Sequence, residues 1–244
     1  MENISDKINK IRAAFEPLGV TLSDEQSQKY LRYLDMILQW NTKVNLTAIT
    51  DFDDMVCKHL VDSCAPALYQ DILGPAGQKL VDVGSGAGFP GIPLKILRPE
   101  LNVTMMDSLG KRVNFLQEVI RELELKDAEA VHIRAEDAGQ ASQYREIFDL
   151  CVSRAVSGLP VLSEYCLPLV RTGGSFVAYK TESAGQEAQD AANAVKLLGG
   201  RLSEIRSFKL PDTEYGRSLV IIKKIGKTPA QYPRKAGTAL KKPL

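Results

Sequence analysis

The stretch VDVGSGAGFPGIPL, residues 81–94, decides the fold of this chain. It begins with a short β-prone segment and then places four glycines within eight residues, at Gly84, Gly86, Gly88 and Gly91. A strand, a glycine-rich turn and a helix start in this order are typical of the first βα unit of an open α/β sheet, where ligands bind beyond the carboxyl ends of the strands. Because glycine lets the backbone approach a bound molecule closely, the stretch predicts a ligand-binding turn.

The chain before this turn differs in pattern from the chain after it. Over residues 1–75, apolar residues recur every three or four positions and Ser23 with Gln26 forms a capping box, which predicts a small N-terminal helical region. Over residues 76–225, β-prone segments alternate with helical periods, which predicts a mostly parallel α/β sheet. Its last two β-prone segments have no helix between them and therefore predict an antiparallel last strand. Residues 226–244 form a basic C-terminal tail.

The composition is that of a globular protein. The 244 residues are 44% hydrophobic and 25% charged, which is enough for one sizeable core. The start, MENISDKINK, lacks the apolar core of a signal peptide, and no apolar run is long enough to span a membrane. We therefore expect a cytoplasmic monomer with no membrane partner. The cysteines follow no CxxC or zinc spacing, which predicts buried thiols and no metal site: Cys57, Cys64, Cys151 and Cys166.

Charge is distributed unevenly along the chain. The formal net charge is +1, yet seven of the 31 basic residues lie from Lys223 onward, where no Asp or Glu occurs. The other 24 basic residues are outnumbered by 30 acidic residues. This basic end, interrupted by Pro229, Pro233 and Pro243, predicts an extended arm that meets an anion such as an RNA backbone. A solubilising disordered end is the alternative.

The spacing of the glycines limits the ligands that the turn can bind. A dinucleotide site has the pattern GxGxxG, whereas this turn reads GxGxGxxG and has Pro90 directly before its last glycine. A Walker-type phosphate site is excluded because no Gly-Lys-Ser/Thr follows. Asp107 closes the second predicted strand, 23 residues after Gly84, where its carboxylate can accept hydrogen bonds from both ribose hydroxyls. This favours an adenosine-type ligand but does not separate NAD from S-adenosyl-L-methionine.

Two further features favour S-adenosyl-L-methionine, with S-adenosylhomocysteine as the product. The third predicted strand ends in IRAED, which places Ala135 and Glu136 where they can meet the edge of an adenine. Asp82 and Asp107 form an acidic pair that suits a sulfonium cation better than the phosphates of a dinucleotide. Phe89 is either an apolar wall of the site or part of the core. These features are typical of class I methyltransferases, which have a Rossmann-like, mostly parallel sheet with an antiparallel last strand.

Whole phrases of the sequence make the likeness more specific. The chain resembles the RsmG family, also called GidB, in VDVGSGAGFPGIPLKI, MMDSLGKRVNFL, RAED, VSRAV and the ending TPAQYPRKAGTALKKPL, and the likeness extends to QWNTKVNLT and HLVDS near the front. Members of this family methylate N7 of a guanosine in 16S ribosomal RNA. The resemblance implies the same reaction here, at guanosine 527 in the usual bacterial numbering, on 16S rRNA or on an assembly intermediate of the small ribosomal subunit.

The resemblance also implies the residues of the site. The expected cofactor-binding residues are Gly84, Gly86, Phe89, Asp107, Ala135, Glu136 and Arg154. The candidate RNA-binding residues are Arg154, Lys180, His59, Arg234 and Lys235. A salt bridge to a nearby acid is the alternative for Arg154, and packing is the alternative for His59. No catalytic residue is assigned, because guanine N7 carries a free lone pair and no proton, so methyl transfer to it needs no general base.

Three rival functions stay open at this point. The first keeps the same cofactor but acts on a small molecule or a protein. The second is a dinucleotide-dependent oxidoreductase, and the third is a non-catalytic RNA-binding factor with a vestigial pocket. The order of the family phrases favours the rRNA methyltransferase over all three.

Overall fold

The structure is a computed structural model that describes residues 3–69, 71–211 and 213–244. The chain starts with α1 (Ile4–Phe15), a 3₁₀ turn (Glu16–Leu18) and α2 (Asp24–Asn41). The predicted capping box is confirmed, since the Gln26 amide donates to the Ser23 hydroxyl at 3.1 Å and the Ser23 amide donates to the Gln26 side chain at 3.0 Å. Gly19, with φ of 69°, ends the 3₁₀ turn.

A third helical segment contains a widened turn. It consists of α3 (Phe52–Met55), a π-helical turn (Val56–Val61) and α4 (Asp62–Cys64), and a 3₁₀ turn (Ala65–Leu68) follows. Such π turns inside α-helices are rare and occur often at functional sites.

The second part of the chain forms one seven-stranded sheet. Its strands are β1 (Lys79–Val83), β2 (Asn102–Asp107), β3 (Ala128–His132), β4 (Phe148–Arg154), β5 (Val170–Lys180), β6 (Gly200–Lys209) and β7 (Gly216–Lys224). The helices are α5 (Gly91–Leu97), α6 (Gly110–Glu122), α7 (Ala135–Gln140), α8 (Leu159–Cys166), α9 (Ala184–Asp190), α10 (Ala192–Leu197) and α11 (Thr238–Lys241), with a 3₁₀ turn (Leu167–Leu169) after α8.

The strand order confirms the predicted fold class. The strands lie in the order β3-β2-β1-β4-β5-β7-β6, and β1 to β5 are parallel. The last strand, β7, is inserted antiparallel between β5 and β6. The order reverses between β1 and β4, which places the switch point of the sheet at the carboxyl end of β1, where the glycine turn begins.

Apolar packing covers both faces of the sheet. On one face α1, α2, α5 and α6 share a core with the strands, which includes Phe15, Tyr30, Met105 and Phe115. On the other face the core includes Cys151, Leu162, Phe176 and Ala191. The N-terminal helices therefore pack into the core of the sheet, and the boundary drawn near residue 75 separates two patterns of sequence within one packed body.

The C-terminal tail folds back onto this body. The Arg145 guanidinium donates to the main-chain carbonyls of Thr228 and Tyr232, both at 2.8 Å, and Thr228, Pro233 and Ala239 are buried. The prediction of an extended arm is thus wrong. The tail docks because it has buried hydrogen-bond partners on α7 and α8. These partners are far from the tail in sequence, so local patterns cannot reveal the contact.

The prediction of buried thiols is confirmed for Cys64, Cys151 and Cys166. All four cysteines are free thiols, three of them buried and Cys57 half-buried. Across the described residues, the helices are either too short or too polar to cross a bilayer.

Candidate functional site

The glycines at the start of the turn allow close packing around it. Gly84 has φ of 73°, and a Cβ atom on it would lie 2.5 Å from Cγ2 of Val156. Gly88 has φ of 101°, and a Cβ atom there would lie 2.6 Å from the Ile92 side chain. The missing side chain at Gly84 therefore lets Val156 pack against the turn, and the missing side chain at Gly88 lets the turn pack on α5.

Asp107 is held in place by the turn. Its Oδ2 accepts a hydrogen bond from the Gly86 amide at 2.9 Å, and its Oδ1 accepts one from the Leu109 amide at 2.8 Å. Arg112 lies 3.7 Å from Oδ2 and offsets the charge of this buried carboxylate. A carboxylate has about four acceptor positions, so Asp107 keeps acceptor capacity for two ribose hydroxyls.

Asp82, the other member of the predicted acidic pair, lies beneath the turn. It is fully buried, and its Oδ2 accepts a hydrogen bond from the Gly91 amide at 2.9 Å. Its Oδ1 has no hydrogen-bond partner among the described residues. Burial raises the pKa of this carboxyl to about 7, so Asp82 supports the turn from inside the core, largely protonated at mildly acidic pH.

A pocket of about 190 Å³ lies at the carboxyl ends of β1, β2 and β3. Four of the predicted cofactor residues line it, namely Gly84, Asp107, Ala135 and Glu136, and its other lining residues include the apolar groups of Ile133, Val156 and Tyr165. A carboxylate placed for a diol beside an apolar slot fits an adenosine group. Gly86 contributes through its hydrogen bond to Asp107.

Phe89 and Arg154, the two other predicted cofactor residues, meet on the far side of the turn. The Phe89 ring is buried and stacks on the His59 ring, with centroids 4.3 Å apart and 22° between the planes. The Arg154 guanidinium lies 5.0 Å from the centroid of the same ring. Phe89 thus packs between the glycine turn and the π turn, which is the core role that the sequence left open for it.

Arg154 is held by an acid and by the π turn. Its Nη1 donates to Asp62 Oδ2 at 2.9 Å and to the Lys58 carbonyl at 3.0 Å. Both side chains are nearly buried, with 12% and 7% of their surfaces exposed. The salt bridge that the sequence left as the alternative for Arg154 is therefore present.

His59 is a neutral hydrogen-bonding residue in this cluster. Arg154 Nη2 lies 3.3 Å from Nδ1, and because a guanidinium can only donate, Nδ1 accepts. The proton therefore sits on Nε2, which is 2.8 Å from the Thr47 hydroxyl. Burial and the positive charge of Arg154 lower the pKa of His59 to about 4.

A second pocket, of about 390 Å³, opens at the ends of β4 and β5. Its lining includes His59, Asp62, Arg154, Lys180 and Arg217. The segment that follows β4 separates the two pockets, because Ala155 lines the second and Val156 lines the first. Ala155 has φ of 57°, a left-handed conformation that costs an alanine about 1 kcal/mol. The backbone is thus strained at the boundary between the pockets.

A larger cleft, of about 610 Å³, lies at the opposite, amino ends of the strands, between the start of α2 and the loop before β3. None of the predicted site residues lines it. The two smaller pockets at the carboxyl ends are therefore the better candidates for the site.

The remaining predicted residues differ in exposure. Lys180 lines the second pocket, but its Nζ is already bonded to the Ser157 carbonyl at 2.8 Å and to Glu187 at 2.6 Å. Arg234 forms a two-pronged ion pair with the buried Glu164. Lys235 is exposed. Hence Lys235 is presented to solvent, whereas the Arg234 guanidinium is directed into the protein and is engaged by Glu164 instead of being free to contact RNA.

The residues at the two pockets that the sequence did not predict include Lys58, Val156 and Arg217. Lys58 and Arg217 line the second pocket, and Val156 lies against Gly84. Val156 belongs to the family phrase VSRAV together with Arg154, and Lys58 directly precedes the phrase HLVDS, so the sequence held a signal for both. Arg217 lies at the start of β7, and only the antiparallel insertion of this strand brings it to the site.

Comparisons with known proteins show which family this chain matches. The family model GidB, described as rRNA small subunit methyltransferase G, matches residues 26–216. Proteins named ribosomal RNA small subunit methyltransferase G are similar over nearly the whole length. The one from Acetivibrio thermocellus is 48% identical over 93% of this chain and 92% of its own. The one from Desulforamulus reducens is 44% identical over 99% of this chain and 100% of its own.

Solved structures with low sequence identity share the fold. M. jannaschii TYW2 in complex with AdoMet has a TM-score of 0.52 and 13% identity, and the match covers 64% of this chain and 73% of that chain. The branched-chain polyamine synthase from Thermus thermophilus has a TM-score of 0.57 and 14% identity, with 81% and 65% covered. These two proteins carry different names and chemistries on one architecture, so the likeness shows the fold alone.

Proposed function

This chain belongs to the GidB family of small-subunit rRNA methyltransferases, and on that premise we propose that it transfers a methyl group from S-adenosyl-L-methionine to N7 of a guanine in 16S rRNA. The observation that carries the proposal is the pair of adjoining pockets at the carboxyl edge of the sheet. One fits an adenosine group, and the other is lined by four cationic side chains, Lys58, Arg154, Lys180 and Arg217, against the two carboxylates of Asp62 and Glu187. The consecutive residues Ala155 and Val156 line one pocket each, so the two pockets adjoin at this segment.

The first pocket would hold the methyl donor, which supplies a methyl group bound to a positively charged sulfur. Asp107 would accept hydrogen bonds from the ribose hydroxyls, oriented by the Gly86 amide. Ala135 and Glu136, which line this pocket, would contact the adenine edge, and the absence of a side chain at Gly84 lets Val156 pack there as a wall of the pocket. Phe89 and Arg154 act from behind the turn, as residues that fix its position against the π turn.

The second pocket would receive the target guanine. Its N7 lone pair needs no proton removed, and His59 agrees with this because it is neutral and hydrogen-bonded at both ring nitrogens. What the pocket must supply is orientation of N7 toward the first pocket and exclusion of water. Lys58, Arg154 and Arg217 supply N–H donors and positive charge for the base and its phosphates.

The rim of the second pocket suits single-stranded RNA. Tyr215 is 49% exposed, and Lys58 Nζ lies 4.9 Å from the centroid of its ring. The Arg217 guanidinium lies 5.8 Å from the same centroid. An exposed aromatic ring beside cations is the arrangement on which unpaired bases stack. Lys235 is exposed and is the predicted tail residue that stays available to RNA, whereas the Lys180 ammonium is already paired with Glu187.

The protein is expected to act as a monomer in the cytoplasm, on an assembly intermediate of the small subunit. The acidic body gives little general affinity for nucleic acid, so recognition would depend on the local cations around the second pocket. The rival oxidoreductase loses its support with the family assignment, because the relatives are named methyltransferases.

The decisive experiment supplies isotopically methyl-labelled S-adenosyl-L-methionine with three acceptors taken from cells that lack this protein: naked 16S rRNA, immature small subunits and mature small subunits. We expect label in one 7-methylguanosine, mapped by mass spectrometry to position 527, and most label in immature particles. Label in a different base, or in protein only, would contradict the proposed function. Equal labelling of all three acceptors would contradict the preference for the intermediate.

A further inference from the structure

The structure places the C-terminal segment, residues 225–244, against the first pocket. Gly237 and Leu240 line this pocket together with Gly84, Asp107 and Glu136. The Gly237 amide also donates to Glu136 Oε1 at 2.9 Å, so the segment fixes the orientation of a carboxylate that is expected to meet the adenine.

A buried ion pair holds the segment there. Glu164 on α8 has 1% of its side chain exposed, and it accepts hydrogen bonds from the Arg234 amide at 2.8 Å and from Arg234 Nε at 2.9 Å. Arg234 Nη2 also donates to the Lys242 carbonyl at 2.9 Å. This hydrogen bond links the residues that come before and after α11. Burying such a pair carries a large desolvation cost that is offset only when the geometry is good and the remaining donors are bonded.

Further contacts fasten the segment before it reaches the pocket. The Gln140 side chain donates to the Pro233 carbonyl at 2.9 Å, and a Cβ atom on Gly139 would lie 2.7 Å from the Pro233 ring. Gln140 and Gly139 belong to α7, the helix that begins at Ala135 and carries Glu136. The segment is therefore packed against the helix that forms the adenine side of the pocket.

We propose that the C-terminal segment is a wall of the cofactor site, and that Arg234 is a positioning residue that holds this wall through Glu164. The inference rests on the proposed function, since it assigns the segment to the binding of that enzyme's methyl donor. This role differs from that of an arm that binds RNA. If the segment is a wall of the cofactor site, removing the Arg234 side chain weakens cofactor binding even when no RNA is present.

The test is isothermal titration of S-adenosyl-L-methionine, and separately of S-adenosylhomocysteine, into the full-length protein without RNA. Arg234→Ala is expected to weaken the binding of both by about tenfold, which corresponds to about 1.4 kcal/mol. Leu240→Ala removes an exposed side chain that lines the pocket and is expected to weaken binding by about threefold. The charge-matched control is Lys227→Ala, an exposed lysine of the same segment, which should change the dissociation constant by less than about twofold.

Steady-state kinetics separate this role from general instability. In Arg234→Ala we expect a higher KM for S-adenosyl-L-methionine, with kcat at saturating cofactor and KM for RNA close to those of the unsubstituted protein. Circular dichroism establishes that the variant is folded; if it is not, Leu240→Ala alone decides. Unchanged cofactor binding in the folded variants, or a rise confined to the KM for RNA, overturns the inference. If the unsubstituted protein fails to bind the cofactor at all, the proposed function fails instead.

Discussion

Arg154 is a positively charged residue that is nearly buried at the edge of the core, where its partners stabilise it. Asp62 neutralises it at 2.9 Å, the Lys58 carbonyl accepts a second hydrogen bond, and the Phe89 ring offers its face. Removing one partner of such a buried pair leaves an uncompensated charge, which is more damaging than removing both. The residues that hold Arg154 are therefore as necessary to the site as the arginine itself.

Gly84 gives the most direct test of the first pocket. In Gly84→Ala, the left-handed backbone would cost about 1 kcal/mol of unfolding free energy, and the new methyl group would press on Val156 inside the pocket. We expect S-adenosyl-L-methionine binding to weaken at least about tenfold, measured by titration calorimetry. Gly77→Ala is the matched control, because Gly77 has φ of 80° with no atom within 4 Å of an added Cβ. It should lose similar stability in urea unfolding but bind the cofactor normally, and equal losses of binding would refute the assignment.

His59 predicts how stability depends on pH. Its pKa is lowered to about 4 in the folded protein, from the ordinary value of 6.5, so between these values only the unfolded chain takes up the proton. Stability is thus full above pH 6.5 and falls as the pH drops toward 4, by at most about 3 kcal/mol. We expect the unfolding free energy of the unsubstituted protein to fall over this window relative to that of His59→Gln.

The difference in unfolding free energy between the unsubstituted protein and His59→Gln reports the titration of His59. Asp82, whose pKa is raised, titrates in both proteins, so its contribution largely cancels in the difference. Urea unfolding at half-unit steps of pH supplies the free energies. A difference that stays constant from pH 6.5 to 4 would show that His59 is protonated normally in the folded protein.

At the scale of elements, the site depends on where helical and strand ends meet. The π turn Val56–Val61 directs the Lys58 carbonyl and the His59 ring toward the end of β4, where they bind Arg154. A regular α-helical turn would place these groups differently around the helix axis, because a π turn adds a residue per turn. The widened turn is thus part of the geometry of the second pocket.

The sequence predicts the elements that depend on local patterns and misses those that depend on distant partners. The glycine turn and the carboxylate at the end of β2 were predictable, because strand ends of a parallel sheet share one edge. The docking of the tail was not, since Arg234 meets Glu164 seventy positions earlier in the chain. Arg217 was missed for a similar reason, as β7 reaches the site only by inserting between β5 and β6.

The loop between β6 and β7 carries a prediction about RNA. Tyr215 lies at its end, beside Lys58 and Arg217 at the rim of the second pocket. If a base of the substrate stacks on this ring, Tyr215→Ala loses about 1 kcal/mol of stacking and raises the KM for RNA about fivefold. Tyr215→Phe keeps the ring and should behave like the unsubstituted protein. Unaltered KM in Tyr215→Ala, or an effect on cofactor binding without RNA, would exclude this contact.

At the scale of the whole molecule, the N-terminal helices support the site directly. The Tyr33 hydroxyl of α2 donates to the Ala87 carbonyl in the glycine turn at 2.6 Å. Tyr30 of the same helix donates to the Pro93 carbonyl at 2.9 Å, and Tyr179 of β5 donates back to the Ser63 carbonyl at 2.7 Å. The helical region thus packs against the back of the glycine turn that we propose binds the cofactor.

This shared packing predicts that the protein unfolds as one unit. The single tryptophan, Trp40 at the end of α2, packs edge-on against Phe115 of α6 with ring centroids 5.5 Å apart, so its fluorescence reports the contact between the helical region and the sheet. Circular dichroism reports the helices of both parts. Because one core includes residues from both, we expect the two signals to change at the same urea concentration, and calorimetry to give equal van't Hoff and calorimetric enthalpies. A tryptophan transition that precedes the loss of circular dichroism would mean that the N-terminal helices detach first, and the glycine turn would then have to hold its shape without Tyr33.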